Sequence, residues 1–283
     1  MHSVLIFTLT LLSIFAVPIE AYFYQVPISI SEKSSTPYMT VEIENEKYSI
    51  LIDLGSQFPF ALRKEILQNL EKTFYETIQS KDIFGIEYET PVYIIPEITA
   101  GDILVKNMVT KEEEYKLVYS SNGDLTDTET DGSVGLPLLS LKNLLLDFSK
   151  PMIFATDSHD LLDLLGYDLD QFQKVSFQES DEFILFSIEL DIGSKQFILD
   201  TGCTWSFLRS DLLTQQTLIS FVPEIPIYET SKFKIGGHDF GEIELCSLKM
   251  AHSELFDGIL GMDFLEEHIV YIDFSANVLY IKR

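Results

Sequence analysis

Apolar and polar residues alternate along much of the chain, as in Val41-Glu-Ile-Glu44 and Ser187-Ile-Glu-Leu-Asp191. A period of two buries one face of a strand and leaves the other wet. Turn formers such as Asn122-Gly123 and Gly236-Gly237 interrupt the runs, and Tyr, Phe, Ile and Val are plentiful. The pattern predicts a mainly β chain. Short helical pieces are expected at Arg63 to Leu70 and Ser210 to Leu213, and Asp157 to Gln171 is acidic, Leu-rich and helix-permissive.

The same pattern is written twice. Tyr48-Ser-Ile-Leu-Ile-Asp53-Leu-Gly-Ser56 runs parallel to Lys195-Gln-Phe-Ile-Leu-Asp200-Thr-Gly-Cys203: an apolar strand that enters Asp-x-Gly-small. Thr130-Asp131-Gly-Ser-Val-Gly135-Leu-Pro-Leu-Leu139 then matches Phe256-Asp257-Gly-Ile-Leu-Gly261-Met-Asp-Phe-Leu265. Sixteen positions beyond Asp131 and Asp257 stand Leu146-Asp147-Phe148 and Ile272-Asp273-Phe274. Each copy closes on a short apolar strand, Met152 to Phe154 and Val278 to Ile281. Such shared order and spacing means a duplicated fold. Tyr22 to Ser35 reads as the opening strand of copy one, matching Val175 to Ser180, with a pro-segment as the other reading.

The chemistry follows from the duplication. Asp53 and Asp200 each emerge from a buried strand, where a lone carboxylate is costly. Gly55 and Gly202 allow a positive-φ turn and a close backbone approach. If the two turns meet across a pseudo-two-fold axis, two carboxyls at about 3 Å cannot both ionise easily, so one retains a proton. One can then act as base on a water while the other protonates a carbonyl, which is peptide hydrolysis without metal or covalent intermediate. Singly, either aspartate reads as a turn cap. Asp131, Asp147, Asp257 and Asp273 recur too, and read as structural turn and strand-end residues.

Ile198-Leu-Asp200-Thr-Gly-Cys203 followed by Ile259-Leu-Gly261-Met-Asp-Phe-Leu265 resembles the retropepsin- and pepsin-like aspartic peptidases. The string Asp257 to Leu265 looks most like the retroviral and bacterial retropepsin-like type, here duplicated in one chain. Copy one fits less fully, with Ile52-Asp53-Leu54-Gly55-Ser56 and Val134-Gly135. The resemblance implies two pseudo-symmetric β-barrel lobes with a cleft between them, residues 22–156 and 172–283, joined by a linker at 157–171. It implies catalytic Asp53 and Asp200, with Gly55, Ser56, Thr201, Gly202 and Cys203 supporting the dyad. No cofactor and no metal are implied. The family places Thr or Ser after each aspartate to bond across the lobes. Thr201 can do so and Leu54 cannot, so half of that tie is missing, a loss of about 1 kcal/mol or more. The activity implied is an aspartic endopeptidase, or a catalytically inactive relative that binds peptides or a protein partner. Relatives also cover the cleft with a hairpin. Its place here is Thr73 to Ile95, with Asp82-Ile-Phe-Gly85 at the tip and Tyr75, Phe84 or Tyr88 as contacts or as core. In copy two the equivalent region, Phe221 to Tyr228, is short and carries Pro223 and Pro226.

Composition narrows the partners. An apolar share of 46% suffices for a packed core. The 45 acidic against 19 basic residues give a net charge of −26, which repels nucleic acid and anionic lipid. A peptide or unfolded protein is the expected partner, with no nucleic acid, no membrane in the mature form, and a monomer as the working unit. The apolar run Val4 to Val17 is shorter than the roughly 20 residues of a spanning helix and exits through Pro18-Ile-Glu-Ala21. Residues 1–21 read as a signal peptide cleaved near Ala21, giving an exported protein, with a buried strand or membrane anchor as alternatives. Cys203 and Cys246 read as buried thiols or as one bridge. His2, His159, His238, His252 and His268 show no ligand spacing. Trp205 either lines the cleft or packs.

Overall fold

The computed structural model describes residues 23–81, 85–101, 103–113, 117–119, 125–127, 130–178, 183–213, 218–222, 225–250 and 255–283. The signal peptide read at residues 1–21, the expected hairpin-tip residues Asp82, Ile83 and Phe84, the expected turn at Asn122-Gly123, and Pro223, His2 and His252 lie outside them. Among the described residues the chain is mainly β, with two barrel-like sheets of thirteen and nine strands and a small two-stranded ribbon. Helices are single short turns: Lys64–Leu67, Leu136–Leu139, His159–Leu164 and Met262–Leu265.

The duplication is visible strand by strand. In the first half, Glu46–Asp53 pairs in parallel with Gly132–Gly135, which pairs antiparallel with Phe60–Arg63. In the second, Gly193–Leu199 pairs in parallel with Gly258–Leu260, which pairs antiparallel with Phe207–Arg209. The strand carrying the later apolar-apolar-Gly thus lies between the strand that delivers each Asp and the strand that follows it. The apolar residues of these strands, among them Ile50, Ile52, Val134, Phe197, Leu199 and Leu260, are nearly or fully buried. Gly258–Leu260 and the end of Gly193–Leu199 are buried on both faces and read as continuous apolar runs; Glu46–Asp53 alternates toward its end, with Ile50 and Ile52 buried and Leu51 half-buried.

The two halves are joined by strands that follow the same symmetry. Leu144–Leu146 pairs antiparallel with Ile269–Asp273, with Leu145 opposite Tyr271. Outward from that seam come Met152–Ala155 and then Tyr24–Ile30 on one side. On the other side come Val278–Lys282 and then Gln173–Ser176. Tyr24–Ile30 is therefore the opening strand of the first half and the partner in symmetry of Gln173–Ser176. The stretch between the halves folds as His159–Leu164 and a 3-10 turn at Leu169–Gln171. Its Leu162, Tyr167 and Leu169 bury against Leu145, Phe154 and Tyr271 on the joining strands.

Recurring aspartates fasten each copy. Asp131 Oδ2 accepts the Ser49 N–H at 2.8 Å, and Arg63 Nη2 donates to Asp131 Oδ1 at 2.8 Å. Asp257 Oδ2 accepts the Gln196 N–H at 3.0 Å, with Arg209 Nη2 3.6 Å from Asp257 Oδ1. Both backbones reciprocate: Asp131 N–H donates to Ser49 O, and Asp257 N–H to Gln196 O. Each carboxylate thus pins the strand four residues upstream of Asp53 or Asp200. Asp147 and Asp273 end the joining strands, accepting from Ser149 and from Ser275 and Ala276. These aspartates are structural, as their positions suggested. The arginines at Ala61-Leu-Arg63 and Phe207-Leu-Arg209 belong to the same repeat and escaped the motif reading.

Replacing Asp131 by Ala is expected to cost about 1–2 kcal/mol, for a charged hydrogen bond and a partly exposed ion pair. Asp257→Ala should cost less, because its ion pair is longer. Urea unfolding of both variants measures this, and unchanged midpoints would remove the clamping role.

Candidate active site

Asp53 is the last residue of the strand Glu46–Asp53, and Asp200 directly follows Gly193–Leu199. Asp53 stands opposite Gly135 in the parallel ladder, and the Asp200 N–H donates to Leu260 O at 3.0 Å. Ladder bonds therefore extend to both aspartates and fix where each side chain leaves its sheet. The two turns face one another where the halves meet. The Asp53 and Asp200 carboxyls hydrogen-bond to each other. Asp200 Oδ1 also accepts the N–H of its own Gly202 at 2.7 Å and of Gly55, from the other half, at 3.2 Å.

Both glycines are required by proximity. A Cβ on Gly55 would lie 2.4 Å from Asp200 Cγ, and one on Gly202 would lie 2.8 Å from Asp53 Cγ. Neither glycine has positive φ, so of the two reasons the sequence allowed, close approach is the one that operates. Any side chain there would wedge the carboxyls apart.

Burial, then the charge of Asp53, pushes the Asp200 carboxyl well above the ordinary carboxylate range; the Gly202 and Gly55 N–H groups act the other way. The two carboxyls therefore titrate together, with one proton retained by the pair. Asp200 is half-buried as a residue, and its carboxyl lies against the Gly55 and Gly202 backbone.

Thr201 makes the expected tie across the halves. Its Oγ1 donates to Ile52 O at 2.6 Å and accepts the Leu54 N–H at 3.0 Å. Thr201 is fully buried, so water does not compete for these bonds. Leu54, also fully buried, packs into the hydrophobic core and returns no hydroxyl. Ser56 Oγ lies 3.4 Å from both the N–H and the carbonyl of Phe58. Its carbonyl accepts the Leu136 N–H, as the Cys203 carbonyl accepts that of Met262. Both cysteines are free thiols. Burial and the charges of Asp200, Asp263 and Asp53 raise the Cys203 thiol far above its ordinary value, and burial with Asp263 and Glu244 pushes Cys246 up to about 12. Trp205 packs beside Ile227 and Cys246.

One supporting group was missed by the motif reading. Asp263 Oδ2 accepts the Ser206 N–H at 2.8 Å, and Oδ1 accepts Ser206 Oγ at 2.6 Å. Ser206 Oγ in turn accepts the Gly261 N–H at 3.0 Å. The loop that carries Asp200 is thereby bound to the apolar-apolar-Gly segment behind it. Copy one has Pro137 at the matching place, so symmetry could not reveal Asp263; its apolar surroundings, Met262 and Phe264, were the available signal.

The hairpin assigned to the first half exists, as Thr73–Lys81 paired with Glu87–Ala100, and leaves Phe74 and Tyr75 exposed. Its second-half counterpart, Leu218–Val222 with Ile225–Thr230, is shorter. Among the described residues no group of three His, Cys, Asp or Glu side chains is placed to hold a metal ion.

No protein-family model matches the chain, and no curated protein does. Solved structures do. Basic 7S globulin from soybean is similar over 93% of this chain and 95% of its own, with a TM-score of 0.58 and 10% identity. The aspartic proteinase from Irpex lacteus is similar over 92% of this chain and 97% of its own, with a TM-score of 0.55 and 13% identity. At such identity the likeness establishes the fold: the two-lobed, pepsin-like architecture. It does not extend to the retropepsin-like subtype suggested by Asp257 to Leu265.

The raised Asp200 carboxyl has a signed consequence for stability. Between the unfolded carboxylate value near pH 4 and its higher folded value, the native state binds the extra proton. Stability contributed by this group is present at low pH and declines as pH rises through that window. Asp200→Asn removes the titration, so the variant should gain stability relative to the parent from about pH 4 upward. Urea unfolding across pH reads the difference, and a pH-independent difference would contradict the assignment.

Proposed function

We propose that this protein is an aspartic endopeptidase of the duplicated, retropepsin-like type, acting on extended peptide or unfolded-protein segments through Asp53 and Asp200. The observation that carries the reading is the hydrogen bond between two carboxyls drawn from the two copies of one motif. In the proposed reaction, the ionised carboxyl takes a proton from a water placed between the pair. The protonated one hydrogen-bonds the scissile carbonyl and stabilises the charge that develops on its oxygen. The dyad titrates as a unit, and the roles exchange as the tetrahedral intermediate collapses. Peptide would bind as an added strand, with residues 22–156 and 172–283 as the two lobes and 157–171 as their linker. The protein would act as an exported monomer after loss of residues 1–21.

A second reading stays in play because of Leu54. With one hydroxyl absent from the tie between the turns, the chain would be a relative that binds peptides or a protein partner without cutting them.

Hydrolysis of an unfolded protein at about pH 4–6, blocked by a statine-type inhibitor, separates the two. Asp200→Ala and Asp53→Ala should each lower the rate at least a hundredfold, on the order expected for losing a catalytic acid or base. Cleavage that survives either substitution in a folded variant would remove the dyad mechanism. Retained peptide binding without cleavage by the parent would select the second reading.

A further inference from the structure

The missing hydroxyl at position 54 raises the question of what else holds the two turns in register. A tight polar turn, residues 31–36, connects strands Tyr24–Ile30 and Pro37–Ile43 of the first half. Its Ser31 N–H donates to Thr36 O at 3.0 Å, and its Ser34 and Thr36 hydroxyls lie 2.7 Å apart. Ser34 and Thr36 are almost fully buried, and Ser35 sits at φ 54°. A non-glycine residue there is uncommon and indicates a turn shape imposed by its surroundings.

The turn reaches into the second half at two points. Ser34 O accepts the Thr204 hydroxyl at 2.6 Å, and the Ser35 side chain hydrogen-bonds Glu266. Both targets belong to the scaffold of Asp200. Thr204 is four residues beyond Asp200, and its carbonyl accepts the Asp263 N–H at 3.1 Å. Glu266 caps the helix Met262–Leu265, which starts directly after Gly261. The Asp200 loop is thus gripped from behind by Asp263 of its own half and from across the seam by Ser34 of the other.

We propose that Thr204 is a positioning residue: its bond to Ser34 O is a second tie between the halves, and it performs the joining that Leu54 cannot. Thr201 fixes the turns at Ile52 and Leu54; Thr204 fixes the same loop one turn further along, so the loop cannot pivot about Thr201 alone. Burial of Ser34 keeps water from replacing the bond. The inference is geometric and does not depend on peptide cleavage.

Native-state amide exchange on the full chain tests it, because the Leu54 and Gly55 amides donate across the seam to Thr201 Oγ1 and Asp200 Oδ1. Thr204→Val keeps the shape and removes the hydroxyl. Exchange at Leu54 and Gly55 should quicken about tenfold, as for one lost partly buried hydrogen bond, relative to the core amide of Phe197. Thr204→Ser should restore protection. Unchanged protection at Leu54 and Gly55, or a change in step with Phe197, would overturn the proposal. Absence of peptidase activity would bear on the function proposed above and leave this measurement valid.

Discussion

Two carboxyl groups brought within hydrogen-bonding reach in an enclosed site repel unless one of them stays protonated. That constraint organises the centre of this molecule. Asp53 and Asp200 are tolerable neighbours because their carboxyls hydrogen-bond to one another, and because glycines leave room for each on the opposite side. Backbone N–H groups from both halves then converge on Asp200 Oδ1, so its charged form is also supported. Neither half could satisfy this arrangement alone. The fold therefore has to hold two strand ends in register across a seam.

The means are repeated where symmetry permits and improvised where it does not. Asp131 with Arg63 and Asp257 with Arg209 stiffen the strands feeding the dyad in the same way in each half. The joining strands meet at Leu145 and Tyr271 and extend symmetrically to the two opening strands. Behind Asp200, by contrast, Asp263 and Ser206 form a buried polar pair where the first half has Pro137. Burial raises the Asp263 carboxyl even though several donors oppose the shift. Such a group is tolerated because its hydrogen bonds are satisfied. The second turn is thus the more polar and more tied of the two, while the first is anchored by hydrocarbon at Leu54.

That division of labour explains how the first turn keeps its place. Leu54 trades a hydrogen-bonded tie for complete burial in the core, whereas Thr201 supplies both bonds across the seam. Direction is what the apolar contact lacks. Burial holds Leu54 in, but it does not set the angle at which the Asp53 carboxyl meets its partner. Hydrogen bonds do, and they come from Thr201 at the dyad and from the polar turn of residues 31–36 beside it.

The sequence by itself determined the duplicated β fold, the pairing of Asp53 with Asp200, and the structural roles of Asp131, Asp147, Asp257 and Asp273. These were legible because the same spacing occurs twice, and because a strand running into Asp-x-Gly is a local pattern. It also marked Leu54 as the weak side of the tie, since a hydrocarbon cannot donate. What only tertiary structure decided were contacts between residues far apart in the chain and present in one copy. Asp263 on Ser206 and Thr204 on Ser34 O have no twin to advertise them, and the latter uses a backbone carbonyl that carries no residue signature. Close approach as the reason for Gly55 and Gly202 was likewise settled only by the carboxyl lying opposite each. Short-range periodicity specifies strands; the meeting of two strand ends is set by packing over the whole seam.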